Sequence, residues 1–306
     1  MPIYEQSFRH YDGPRSIRRM WWPVAWQTMR PMLKPKPLWL FGSAHLIFLV
    51  VVSVSFFVTA KLKEIAPEQI EAATKVAQAV EVPIFGTNLS LATLLYVYLD
   101  VSFFIMLLLV LATVGSCISS DRQNMALPLY FSRPLGVTDY ILGKITGIIL
   151  IPLGFGTAAI FIIFIQAAAY FYSLPQALEQ IPLLVTSVVA LFSACLLASV
   201  SMAAFSSMAK TARTANGLFI AFWMLSGTVA GMLRQSTGQA SWGAFSPRMA
   251  WRNFAQDIMG AETQRFGRSS DFLEISTTAA TISIVLYILL FLYITRRNLK
   301  VVEVVK

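Results

Sequence analysis

Asp100 is the residue whose chemistry stands out first, because it lies inside an otherwise apolar run. An ionised carboxylate at the centre of a membrane helix costs about 2.5 to 3.5 kcal/mol on insertion scales, so it must face a cavity or a partner. On a helix it shares a face with Thr93, Tyr96 and Phe103 or Phe104. Asp100 and Tyr96 are therefore candidates for a transport path, or Asp100 for a contact between two copies. The alternative for Asp100 is a structural bond to a neighbouring helix, or a position near a membrane boundary. Other reactive types are sparse. His10 lies in the N-terminal segment and His45 stands alone in an apolar run, either packing between helices or lining a path. Cys117 and Cys195 both sit in apolar runs, which suits small core residues better than a disulfide or a thiolate metal site. No metal-spaced His/Cys cluster and no credible nucleophile–base pair is present. Gly154-Phe155-Gly156 lacks the Lys of a phosphate-binding loop, so no bound cofactor is expected on this chain.

The elements that must carry these residues follow from composition. The 306 residues are 57% hydrophobic and only 13% charged, with mean hydropathy +0.66, against about 25% charged in a soluble domain. A bilayer core of about 30 Å needs about 20 apolar residues as helix, because every backbone group must be bonded internally. Six segments reach that length: 38–60, 91–118, 145–172, 181–205, 218–233 and 275–294. The fifth is the shortest and can extend back through Ala215. The first reads as a span and not as a secretory signal, being too long, too far from Met1 and without a small-residue cleavage site. The expected class is all-α, a polytopic membrane protein of six transmembrane helices with an N-terminal cytoplasmic interfacial helix. The expected divisions are 1–37, a cytoplasmic segment with that helix; 38–295, the six-span domain; and 296–306, a cytoplasmic basic tail.

The net charge of +9 is carried by residues flanking the spans, not by a nucleic-acid motif. Sixteen of the 24 Lys and Arg fall on the side of the N-terminus: seven from Arg9 to Lys36, then Arg122, Arg133, Lys144, Lys210 and Arg213, then four from Arg296 to Lys306. The positive-inside rule predicts that both termini are cytoplasmic, in the cell membrane and, for a bacterium, the inner one.

Three polar joints carry further elements. From Ser16 to Arg30, Ile17, Met20, Trp21, Trp22, Val24 and Trp26 alternate with basic residues, predicting a helix in the membrane interface that Pro23 either starts or breaks. An irregular aromatic anchor is the alternative. Ile70, Ala73, Val76, Ala77 and Val80 predict a short amphipathic helix in the first outer loop. After Ser246-Pro247, the spacing of Trp251, Phe254, Ala255, Ile258 and Met259 predicts a helix lying against the outer face of the membrane or dipping partly into it.

The stretch from Ser116 to Lys144, between the second and third spans, is the most informative. It combines apolar Leu127, Leu129, Tyr130 and Phe131 with charged Asp121, Arg122, Arg133, Asp139 and Lys144, and it has turns at Pro128 and Pro134. Such a mixture suits a segment that docks into another protein's groove. Gly143 and Gly147, four apart, suit close helix packing at the start of the third span.

Here the chain resembles the type-2 family of ABC permeases. The resemblance rests on the pair Asp121-Arg122, the apolar Leu127 to Phe131, the turn Ser132-Arg133-Pro134 and Gly143-Lys144. It extends to the six spans, the interfacial helix, the Ser-Pro-initiated helix before the last span and the basic tail. By architecture the chain is similar to permeases of sodium, antibiotic and nitrous-oxide-reductase-maturation exporters. It departs from the family in having Gln123-Asn124-Met125-Ala126 where a Glu and a Gly-Thr-Leu-like run often stand. The resemblance implies that this segment is a coupling helix, pushed by a separate ABC ATP-binding subunit that holds ATP and Mg. Asp121, Arg122, Leu127, Leu129, Tyr130, Phe131, Arg133, Pro134, Gly143 and Lys144 are then the partner-coupling residues. It also implies a second permease copy or homologue, since six spans are half of such a transporter, with membrane lipid and no nucleic acid as further surroundings. A non-transporting membrane scaffold with the same spans is the alternative function. Tyr96, Tyr98, Phe103 and Phe104 would suit an amphipathic substrate, and equally ordinary helix packing.

Overall fold

A computed structural model describes residues 21–65, 91–131, 135–261 and 275–303. The described residues form eleven α-helices and one 3₁₀ turn, with no strand among them. Six helices are long and apolar enough to cross a membrane, and the chain is an all-α polytopic membrane protein. The spans are α2 (Pro35–Ile65), α3 (Leu91–Val114), α6 (Val137–Phe171), α8 (Ile181–Met208), α9 (Ala212–Thr237) and α11 (Thr277–Glu303). The shorter helices are α1 (Trp21–Met29), α4 (Ser119–Gln123), α5 (Ala126–Phe131), α7 (Leu174–Glu179) and α10 (Pro247–Met259), with the 3₁₀ turn at Ala240–Phe245.

The centre of the bundle is α8, which packs against α3, α6, α9, α10 and α11. Its buried residues are mostly small, among them Ser187, Ala190, Ala194, Cys195, Ala198 and Ser201. Lipid tails are as apolar as any side chain, so helices in a membrane gain by close van der Waals approach, and small residues permit it. Ser187, Ser199, Ser201 and Ser207 bond back to carbonyls of their own helix; Ser199 Oγ donates to the Cys195 carbonyl at 2.6 Å. The outward faces of α2 and α9 remain apolar, with Leu46, Ile47, Met224 and Leu225 all exposed.

Hydropathy located all six spans but not their ends. The third begins at Val137, so Gly143 and Lys144 lie in its second turn instead of opening it. At 35 residues it is about 52 Å long at 1.5 Å per residue, well beyond a bilayer core. The fifth starts at Ala212, where the Thr211 side chain accepts from the Thr214 amide (3.2 Å), and it stops at Gly238 in the left-handed region (φ 70°). The sixth runs on as helix through Glu303, past the apolar span that ends at Leu299. Caps set these ends, and a polar residue ends a hydropathic run without ending a helix.

Of the non-spanning helices, α1 occupies Trp21–Met29, within the stretch expected to be helical, with Pro23 in its first turn where a missing N–H costs nothing. The expected helix at Ile70–Val80 lies outside the described residues. The Ser246 side chain caps α10 through the Met249 amide, Pro247 opens the helix, and Gly260 (φ 61°) closes it. This helix dips into the bundle: Trp251 is fully buried, stacks on Phe103 (4.6 Å between ring centres), and donates its indole N–H to the Ala190 carbonyl at 3.0 Å.

The tightest joint is between α1 and α6. A Cβ placed on Gly143 would lie 2.6 Å from the Trp21 carbonyl oxygen, and one on Gly147 would lie 2.5 Å from that of Ala25. The two glycines form a notch that seats α1 backbone to backbone. Gly147→Ala is therefore expected to push α1 off α6 at a cost of about 1 to 3 kcal/mol. The check is a lowered thermal midpoint together with faster chymotryptic cleavage after Trp26. Gly154→Ala is the control, because a Cβ there meets nothing within 4 Å and should leave both readouts unchanged.

Candidate functional site

The chain leaves α3 at Val114 and returns at Val137 through a pair of short helices, α4 and α5, which form an elbow at one end of the bundle. Nothing local caps α4. Its free amides are instead satisfied from α8: Ser206 Oγ accepts from the Ile118 and Ser119 N–H groups at 3.0 and 3.1 Å. A helix end buried without partners would be unstable, so this borrowed cap fixes where α4 begins. At its other end Gln123 Nε2 donates to the Lys210 carbonyl at 2.7 Å, tying the elbow to the turn between α8 and α9. Between the two helices Met125 has φ 53°, the left-handed region that a side chain rarely adopts, and it is 74% exposed.

Within this elbow lies a buried ion pair. Lys144 of α6 is 4% exposed, and its ammonium meets Asp121 of α4 at 2.8 Å. The Tyr140 hydroxyl donates to the same Asp121 oxygen at 2.6 Å, and the Lys144 ammonium lies 5.4 Å from the Tyr140 ring centre. Removing two charges from water costs several kcal/mol per ion, which only close pairing and further hydrogen bonds offset. Next to it the Tyr130 hydroxyl of α5 donates to Gln27 Oε1 of α1 at 2.5 Å. Burial, then the Asp121 charge, push the Tyr130 hydroxyl above its ordinary pKa, so it remains a donor at neutral pH. Together these bonds join α1, α4, α5 and α6.

The structure thus sorts the residues expected to contact a partner. Asp121, Lys144 and Gly143 are turned inward and hold the elbow to the bundle. Leu127 is 1% exposed and belongs to this chain's own core, so it is not free to fill a partner's groove. Arg122 is partly exposed, and Gln123, Asn124 and Met125 form the outermost turn. Leu129 and Phe131 lie within α5, with their side chains outside the described set, and Arg133 and Pro134 lie outside the described residues.

A second charged group sits at the opposite end of the bundle. Asp100 of α3 meets Arg252 Nε at 3.3 Å and Arg248 Nη2 at 3.7 Å, both on α10. Neither approach is an aligned hydrogen bond: the Asp100 Oδ1 has no hydrogen-bond donor among the described residues. Arg252 Nε also points at the Tyr96 hydroxyl, at 3.4 Å. Burial opposes the Arg252 charge, but Tyr96 and Asp100 outweigh it and raise the guanidinium above its ordinary pKa. Asp100 and Tyr96 are thus brought together, with two arginines that hydropathy alone does not single out. Their four-residue spacing on either side of Trp251 was the available signal.

No protein-family model matches the chain, and no curated protein matches it either. The residues themselves carry the functional argument. His45 is buried, stacks on Phe41 with ring centres 4.3 Å apart, and places Nδ1 3.0 Å from the Phe41 carbonyl, which is a packing role. Cys117 and Cys195 are free thiols. No group of three or more His, Cys, Asp or Glu side chains converges among the described residues. The elbow is a partly exposed turn held to α1, α6 and α8 by hydrogen bonds and a buried ion pair.

The buried pair predicts a non-additive double-mutant cycle. Asp121→Asn strands the buried Lys144 charge and should cost about 3 to 5 kcal/mol, and Lys144→Met should cost less, because Asp121 retains Tyr140 and some water. The double variant should lose clearly less than the sum, measured by thermal unfolding in a neutral detergent. Additive losses would mean that the two charges do not act as a pair.

Proposed function

We propose that this chain is the membrane-spanning permease subunit of an ABC exporter, working as a dimer and driven by a separate ATP-binding subunit. The observation that carries this reading is the elbow. A connection needed only to reverse the chain requires neither a borrowed cap, nor a buried ion pair, nor a hydrogen bond to a third helix. A segment that must receive a push and pass it into the spans requires all of these, since a loose loop would absorb the displacement. The likeness of the Asp121-Arg122 to Gly143-Lys144 stretch to type-2 ABC permeases supports the same reading. The charge distribution supports placing the elbow and both termini on the cytoplasmic side of the cell membrane. There the partner binds ATP with Mg and hydrolyses it, and this chain supplies the path and no catalytic group.

In this arrangement the partner's groove receives the outermost turn, Arg122 to Met125, while the inward residues keep that turn aligned with α6. Charged and long side chains at such a contact set orientation, and buried aromatic and Arg anchors dominate affinity. Arg122→Glu combined with Met125→Glu should reduce copurification of the ATP-binding subunit from native membranes at least tenfold, with membrane insertion unchanged. Full retention of that subunit would refute the assignment. Recovery of the tagged chain in a complex without any ATP-binding subunit would favour a scaffold role.

A further inference from the structure

The charged group on α3 and α10 is not balanced. Two guanidiniums, Arg248 and Arg252, converge on one carboxylate, Asp100, and it is the only carboxylate among the described residues that pairs with them. Like charges four residues apart on one helix repel, so the pair stands one positive charge in excess. The contacts are loose, at 3.3 and 3.7 Å, and the buried Arg248 Nε has no hydrogen-bond partner. Each guanidinium offers five donors in a planar fork suited to a carboxylate or phosphate. Both side chains are more than a third exposed, at 39% and 36%, so donors remain accessible.

The surface beside them is apolar. Asp100, Phe104 and Leu108 follow at intervals of four along α3, with Val101 on the same side, and Val101, Phe104 and Leu108 are 40%, 51% and 50% exposed. Arg248 ties the charge to this stripe, its guanidinium carbon lying 6.0 Å from the Phe104 ring centre. A surplus cation at the head of an apolar stripe is complementary to a molecule with an anionic head and an alkyl tail. We propose that Arg248, Arg252 and the Val101–Phe104–Leu108 face of α3 form a binding site for an anionic amphiphile. The oxyanion lies between the two guanidiniums in competition with Asp100, and the alkyl chain lies along α3. Binding stands on these residues alone; that such a molecule is the exported substrate rests on the transporter reading.

The test uses the full chain in a neutral maltoside detergent, titrated calorimetrically with dodecyl phosphate and, separately, with inorganic phosphate. Neither titration involves an ATP-binding subunit, so failure of the transporter reading would leave the result untouched. The site predicts saturable binding of dodecyl phosphate, weakened at least tenfold by Arg248→Gln or Arg252→Gln, and inorganic phosphate at least tenfold weaker than the amphiphile. Phe104→Ala should weaken the amphiphile and leave inorganic phosphate unchanged. Asp100→Asn removes the competing anion and should tighten binding severalfold, an arm that holds even if the arginine variants fold poorly. Equal binding to wild type and arginine variants, equal affinity for the two phosphates, or weaker binding to Asp100→Asn would overturn the proposal. So would an efficient disulfide between two copies of a Phe104→Cys chain, which would mean that a second copy covers the stripe.

Discussion

A lysine ammonium buried inside a membrane protein must have an anion beside it, and in this chain that requirement organises one whole end of the bundle. Lys144 stands in the second turn of α6 at 4% exposure, and Asp121 of α4 is the carboxylate that meets it. To bring Asp121 there the chain must turn sharply after Val114, which places Ile118 and Ser119 where Ser206 can accept their amides. Tyr140 supplies the second donor to the carboxylate and stacks loosely near Tyr130, whose hydroxyl reaches α1. An apolar isostere of the pair would satisfy packing equally well, since buried ion pairs add little net stability. What the pair adds is position: the elbow has one arrangement in which no charge is stranded.

The same logic of close approach and paired charge recurs through the bundle. The notch of Gly143 and Gly147 lets α1 lie against α6, and the small residues of α8 let five neighbours close around it. At the far end α10 enters the bundle with Trp251 as its anchor and brings Arg248 and Arg252 to Asp100. The two ends differ in balance. The pair at the elbow is neutral and closed, whereas the group on α3 and α10 carries surplus positive charge and stays partly open. On the proposed reading, the closed end transmits force and the open end meets a ligand.

Much of this was legible in the sequence, for a physical reason. Bilayer thickness sets a length that hydropathy measures, so all six spans were found. The Ser-Pro cap and helical spacing of α10 were found as well, because capping and periodicity are local. Helix ends were missed at Val137, Ala212 and Glu303, where polar residues continue a helix that hydropathy had ended. The partners of Asp121 and Asp100 were missed because spacing along one helix says nothing about which distant helix faces it. Leu127, an apolar residue in a polar stretch, suggests an external groove when read along the sequence, and in the fold it packs within the chain's own core.

The central claim is that the elbow and the helices it touches form one rigid body, held by the Lys144–Asp121 pair. The most direct measurement is the distance distribution between spin labels at Met125→Cys and Lys34→Cys, in a chain with Cys117 and Cys195 replaced by serine and alanine. The rigid elbow predicts a single narrow distribution that broadens markedly when Lys144→Met is added. A broad distribution in the parent chain, unchanged by Lys144→Met, would contradict it.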